Sequence, residues 1–230
     1  FQNDNVFNTE SLLPDGTQKW EVNRNKINFP EGKTWKHYIR DTRLEMACGE
    51  APYITSRYDT TTGEFIPIEN RIGLLDRKLR VINENLDDSG EWLEAAQTAY
   101  KNIYAFEWQG DSLLLAREAM LITFIENYSF KFGKEPLLKS IQYIAYIISW
   151  NVWQMDGLKG VIPMSCGAKK TETTTLFGDI EVKIDECEGC MKDNIKKHNG
   201  IYCLIKDWGN KDPETGRKGR KIKFIDLLKK

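Results

Sequence analysis

Cys187 and Cys190 form a Cys-x-x-Cys knuckle in "ECEGCM", with Cys166 ahead of it and His198 and Cys203 behind. The reverse turn of such a knuckle directs two thiolates at one ion, and four soft ligands in tetrahedral geometry suit structural zinc. Between Cys166 and the knuckle, "TTTLFGDIEVKI" reads as a two-stranded ribbon. The fourth place lies between His198, on the "KKHNG" turn, and Cys203, in the alternating "IYCLI". Metal ligands often sit on loops, so Cys166, Cys187, Cys190 and His198 are the expected set. No carboxylate is arranged to activate a metal-bound water, which makes the expected role structural. The plain alternative is a group of reduced cysteines with a solvated histidine.

A second group of residues bears acids or glycine where strands give way to turns. "LEMACGEAPYI" ends a strand at Cys48-Gly49, with Glu45 inside it. Asp76 follows the apolar run Ile72–Leu75, and Asp111 follows the strand in "FEWQGDSLL". In an open parallel sheet, ligands bind outside the carboxyl ends of the strands. A glycine there lets backbone approach the ligand, and an acid at the next strand end accepts hydrogen bonds from ribose hydroxyls. A third acid can receive the amino group of an adenine ring. The set suits an adenosyl group. Against it stands the ordinary use of aspartate at helix N-termini, where the carboxylate satisfies free amides.

These residues need elements to position them. Residues 1–33 read as an irregular lead-in with turns at Pro14-Asp15-Gly16 and Pro30-Glu31-Gly32. Residues 34–43 suit a short helix or loop, and 57–70 a loop or small hairpin. Ile72–Leu75 suits a buried strand, after which Leu79, Ile82 and Leu86 recur at helical spacing. Residues 90–108 read as an amphipathic helix with Trp92, Ala95, Ala96, Ala99 and Ile103 on one side. Residues 112–133 and 136–158 read as a buried helical hairpin split at Gly133 and Pro136. Asn151, polar in an apolar helix, is expected to serve a buried hydrogen-bond network, with Trp150, Trp153 and Met155 as core. The expected divisions are 1–33, a core over 34–163, a cysteine-rich insertion over 164–208, and a basic segment over 209–230.

The 230 residues, 40% hydrophobic and 29% charged, have the composition of a soluble globular protein. Lysine plus arginine (33) nearly balance aspartate plus glutamate (34), so global charge neither requires nor excludes a nucleic acid. The tail "GRKGRKIK" can pair with phosphates, or form a solvated loop. "IQYIAYIISWNVW" is too short and too polar to span a bilayer, so no membrane partner is expected. Five cysteines without a secretory signature point to a reducing interior, the cytoplasm. A start at Phe1 suggests a piece of something longer.

Roughly residues 34–230 resemble a known family. "LEMACGEAPYI" is similar to the first motif of amino-type DNA adenine methyltransferases, "IGLLDRKLRVINENL" to their second and "EWQGDSLL" to their third. The longer strings "CGEAPYITSRYDTTTGE", "RIGLLDRKLRVINEN" and "WQMDGLKGVIP" resemble the M subunits of restriction endonucleases and type II restriction–modification methylases, and are far more specific. The resemblance implies an α/β fold: a partial Rossmann-like methyltransferase sheet that binds S-adenosylmethionine, carrying the helical hairpin and a zinc-ribbon-like insertion. It implies that Glu45, Ala47, Cys48, Gly49, Glu50, Ala51, Pro52 and Tyr53 line the methionine side of the cofactor. Asp76 would take the ribose and Asp111 the adenine amino group, with Ser112 nearby. DNA is the implied partner, with an endonuclease or specificity domain or subunit as a further candidate.

Two departures matter. Ala51 replaces the family's second glycine, and the catalytic "NPPY" or "DPPY" tetrapeptide is absent. No residue is therefore expected to be catalytic, and the piece alone is expected to be inactive. Cys48 reads as a packing residue, because adenine N6 methylation needs no protein nucleophile. The competing reading is a non-catalytic, zinc-containing DNA-binding or assembly module.

Overall fold

The structure, a computed structural model, describes residues 4–174, 178 and 180–228. The ends of the lead-in and of the basic segment, and the tip of the expected ribbon at 175–177 and 179, lie outside the described residues. The chain is mixed α/β and divides into two compact units. One comprises 1–105 and 111–152, the other 106–110 and 153–230.

The first unit opens with an antiparallel hairpin, β1 (Asn8–Leu12) and β2 (Gln18–Val22), where an irregular lead-in was expected. Its turn is the predicted Pro14-Asp15-Gly16, closed by Thr17 N–H donating to the Asp15 carboxylate at 2.9 Å. A short helix, α1 (Trp35–Arg40), leads into β3 (Arg43–Met46). Residues 57–70 form a small loop pinched by a bridge between Tyr58 and Phe65.

The strand expected at Ile72–Leu75 does not form. Helix α2 (Leu74–Asn85) begins within that run. Ser56 Oγ accepts from the N–H groups of Ile72 and Gly73, while those of Leu74 and Leu75 donate to the carbonyls of Tyr53 and Ile54. With its amides taken by the preceding turn, the run is a helix entrance. Helix α3 (Ser89–Lys101) starts at Asp88, whose carboxylate accepts from the N–H groups of Gly90 and Glu91. It ends at Lys101, short of the expected 108, and β4 (Ile103–Glu107) follows.

Helix α4 (Gly110–Phe132) stops at Gly133. Helix α5 (Leu138–Asn151) was expected to reach 158, but β5 (Val152–Gln154) interrupts it. The cause is Asn151, as predicted a buried hydrogen-bonding residue. Its Nδ2 donates at 3.0 Å to the carbonyls of Tyr100 and Ile103, binding the end of α5 to the start of β4. The expected helical hairpin is not buried all round, since Leu114, Leu115, Phe130 and Leu138 are exposed, and α5 packs on α3.

Strands β3, β4 and β5 form a parallel three-stranded sheet in that order, with helices in both connections. The unit's core holds Leu75, Leu79 and Ile82 of α2 against Trp92, Ala96, Ala99 and Tyr100 of α3. Trp92 meets Tyr128 edge-on at 5.5 Å between centroids and gives its indole N–H to Asn83 at 2.7 Å.

In the second unit the expected ribbon is present as β6 (Lys169–Thr174) paired with β7 (Ile180–Asp185). The knuckle carries a single helical turn, α6 (Glu188–Met191). A second hairpin joins β8 (Leu204–Lys211) to β9 (Lys218–Lys223), so the division expected at 208/209 falls inside β8. Among the described residues, no helix is long and apolar enough to cross a membrane.

Candidate metal centre and cofactor turn

Cys166, Cys187, Cys190 and His198 converge, their ligand atoms all within 4.8 Å of one another. His198 Nδ1 lies 3.3, 3.6 and 3.6 Å from the sulfurs of Cys166, Cys187 and Cys190. Ordinary zinc bond lengths at tetrahedral angles give sulfur–nitrogen edges of about 3.6 Å and sulfur–sulfur edges of about 3.8 Å. The sulfurs of Cys166 and Cys187, and of Cys166 and Cys190, stand closer, at 3.1 and 3.4 Å. The group can hold a metal ion, and its Cys3His donor set is consistent with zinc.

Electrostatics already separate the thiols. Burial pushes the Cys187 thiol up, but hydrogen bonds from the Asn199 N–H, the Cys166 thiol, the Cys190 backbone and His198 outweigh it and hold Cys187 low. Burial, together with donation to its two cysteine neighbours, raises Cys166. Cys203 takes no part. It is 0% exposed, its thiol donates to the Gln154 carbonyl at 3.1 Å, and burial pushes it up to about 12.

Three residues that sequence reasoning passed over make this geometry. A Cβ on Gly189 would stand 2.6 Å from the His198 backbone nitrogen and 2.7 Å from its Nδ1, so only glycine fits inside the knuckle. A Cβ on Gly200 would press on Ser165 and Cys166 at 2.7 and 2.9 Å. Tyr202 Oη accepts from the His198 N–H at 2.8 Å and donates to the Ile195 carbonyl at 3.0 Å, pinning the loop that carries the histidine. The signal for Gly189 was in "CEGC" itself; Gly200 and Tyr202 gave none.

The turn after β3 is tight. Gly49 has φ +54° and Ala51, fully buried, has φ +64°. Ala51 N–H donates to the Cys48 carbonyl at 2.8 Å, and Ile54 and Thr55 donate back to the Ala51 carbonyl. Ala51 thus keeps the left-handed backbone that a glycine would adopt freely, at a cost of about 1–2 kcal/mol. Ala51→Gly is expected to recover about 1 kcal/mol of this, seen as a higher denaturant midpoint, and Ala51→Val to lower the midpoint.

Cys48 is buried as packing, Ala47 and Tyr53 are exposed, Pro52 is half-buried, and Glu50 accepts from Tyr58 Oη at 2.6 Å. Glu45 is half-buried, with Oε2 inaccessible and without a partner; burial pushes its carboxyl up to about 7.

Hydrogen bonding joins this turn to Asp76. Asp76 Oδ2 accepts from the Ser56 N–H at 2.7 Å and from its hydroxyl at 3.2 Å. Asp76 is 4% exposed, in the first turn of α2, and Oδ1 lacks a partner. It borders a cavity of about 440 Å³ walled by Arg80, Asn83, Asn127 and Lys131, to which residues 45–53 contribute nothing. Asp111 is exposed in the first turn of α4, with Ser112 beside it, and no hydrogen bond joins either to the turn. Within the parallel sheet, the acid that ends a strand is Glu107, at the last position of β4, where it accepts from the Gln109 N–H at 3.0 Å. The "YAFE" run carried that signal, but its apolar residues were absorbed into the expected helix.

Comparison with known protein families, characterised proteins and solved structures finds no match.

Proposed function

We propose that the chain is the S-adenosylmethionine-binding portion of a DNA adenine-N6 methyltransferase of a restriction–modification system, with zinc as a structural ion in its Cys3His group. The observation that carries this reading is Glu45. A carboxylate oxygen buried without a donor is costly, and one on the strand that feeds a glycine turn suits an ammonium such as that of a methionine moiety. The sheet supports it. A parallel sheet in the order β3-β4-β5 is consistent with the 3-2-1 half of a doubly wound fold, whose ligands lie at carboxyl strand ends.

S-adenosylmethionine supplies the methyl group. Glu45 would hold the amino end, and the open backbone at Gly49 would let the ligand approach closely. The ribose role is that of Asp76, which the Ser56 N–H and hydroxyl join to the turn. Asp111 and Ser112 keep the adenine end. Without an "NPPY" segment, no residue is assigned to catalysis.

Titration calorimetry with S-adenosylmethionine tests the reading. Glu45→Gln is expected to weaken binding at least tenfold. In the unmodified chain, the carboxylate form prevails above pH 7 and is lost as pH falls through it, so affinity declines below about pH 7. A folded chain that ignores the cofactor at every pH sinks the proposal. It would favour the second reading, a zinc-containing DNA-binding or assembly module, which the Cys3His group supports by itself.

A further inference from the structure

The charge of this chain is unevenly placed. Residues 204–223 hold seven cations against three acids, in a chain of net charge −1. Hairpin formation concentrates them further. Lys211 stands directly opposite Lys218 in the β8–β9 register, and both are exposed. Like charges facing each other across a strand pair weaken it. Lys206 also faces Lys221.

Two of the three acids are engaged in the hairpin's own turns, and the third, Glu214, is exposed at the turn and forms no ion pair among the described residues. Asp207 accepts from the Gly209 N–H at 3.0 Å and from Asn210 Nδ2 at 2.7 Å. Asp212 is buried and accepts from the N–H groups of Glu214 and Thr215. Among the described residues, Lys211, Arg217, Lys218 and Arg220 are exposed and form no ion pair. A hairpin that gathers cations, opposes two of them and neutralises none of these four is shaped for an external polyanion.

Its root is held firmly. Phe224 N–H donates to the Cys203 carbonyl at 3.0 Å, and Lys223 Nζ lies 4.9 Å above the Tyr202 ring, the same tyrosine that pins His198. The cations therefore ride on a ribbon whose base is tied to the metal-ligating loop. A two-stranded ribbon is one of the shapes that the major groove of B-DNA admits, whereas the deep, narrow groove of an RNA duplex does not.

We propose that the β8–β9 hairpin docks duplex DNA, with Lys211, Arg217, Lys218 and Arg220 meeting backbone phosphates along the major groove. The choice of DNA among polyanions rests on the methyltransferase reading; the charge argument does not. Such contacts position the protein and carry no sequence choice.

Fluorescence anisotropy of the full chain with a labelled DNA duplex, over a salt series, tests it. Replacing all four cations with glutamine is expected to flatten the slope of log affinity against log salt by about 3–4, near 0.9 per phosphate contact. Lys218→Glu is the sharper variant. It turns the Lys211 pair into an attractive one, so the melting temperature should hold or rise while DNA affinity falls at least fivefold. A residue that merely supported the fold would move both downward. The proposal is overturned if the unmodified chain does not bind the duplex at low salt, if the fourfold variant binds with an unchanged slope, or if an RNA duplex or anionic vesicles are preferred. Calorimetry with S-adenosylmethionine on the fourfold variant keeps the two readings apart. Hairpin-dependent DNA binding without cofactor binding would remove only the methyltransferase assignment.

Discussion

Stripping a metal held by the Cys3His group is expected to dissolve the segment from Cys166 to Cys203 while the helices of the first unit stay folded. The rest of the segment's support is polar rather than a hydrophobic core. It includes the Tyr202 contacts, the Ser165–Ile201 and Asn199–Gly167 hydrogen bonds, and backbone bonds such as Ile162–Ile201, Cys203–Gly160 and Gly189–Lys197. Exposed ion pairs of Glu188 with Lys192 and Lys197, and the ribbon pairing of β6 with β7, complete it. Ile180, Val182 and Ile184 of that ribbon are exposed and bury no core. Binding energy at such a site is folding energy, with apparent values of roughly 10–16 kcal/mol for small zinc domains. Metal analysis should find one zinc per chain, falling to none in Cys187→Ser and staying at one in Cys203→Ala, whose thiol only donates to Gln154. Chelator should open the lysine-rich loop at Lys192, Lys196 and Lys197 to trypsin. It should also weaken DNA binding, because the base of the β8–β9 hairpin leans on Tyr202. A chain that keeps its melting profile and protease resistance in chelator would show that hydrogen bonds suffice and that the Cys3His group is incidental.

That site was legible because metal ligation imposes residue types and spacing directly on the chain: the knuckle, the earlier cysteine and the loop histidine could be read off in order. Its glycines were not, because Gly189 and Gly200 answer to atoms that meet only once the loop has closed. The sheet was legible in part. Glu45 and the Gly49 turn stand where an alternating strand meets a glycine. Ile72–Leu75 misled, because a four-residue apolar run has no period to tell a buried strand from the entrance of a buried helix. What decided it was Ser56, distant in sequence, taking up the amides of Ile72 and Gly73. Asn151 shows the opposite case: one amide in an apolar helix announces a buried partner, since such a group is rarely left unsatisfied.

Lys78 is the residue that periodicity hides best, and Lys78→Met should be among the most damaging single changes in the first unit. A lysine in a helix is ordinarily solvated. This one is 0% exposed, and its ammonium donates to the carbonyls of Ile39, Asp41 and Asn102. Those carbonyls belong to the last turn and cap of α1 and to the cap of α3, where unpaired C=O groups and the helix dipole both favour a cation. Methionine matches the length of the side chain and carries no donor. Two effects then oppose each other. Removing a buried ammonium recovers a desolvation cost of several kcal/mol. Against it, the carbonyls of Ile39 and Asp41 lose a charged donor, at about 1–3 kcal/mol each, and that of Asn102 loses one of its two donors. The carbonyls are fixed in backbone and cannot turn toward water, so the loss prevails, by about 2–4 kcal/mol in denaturant unfolding. The damage should also reach the proposed cofactor turn, because Asn102 O accepts from the Arg43 N–H that begins β3, two residues before Glu45. S-adenosylmethionine affinity in the surviving folded fraction should therefore fall with stability. A Lys78→Met chain as stable as the parent would mean that the Ile39 and Asp41 carbonyls find other donors, and the ammonium would be a buried charge without structural purpose.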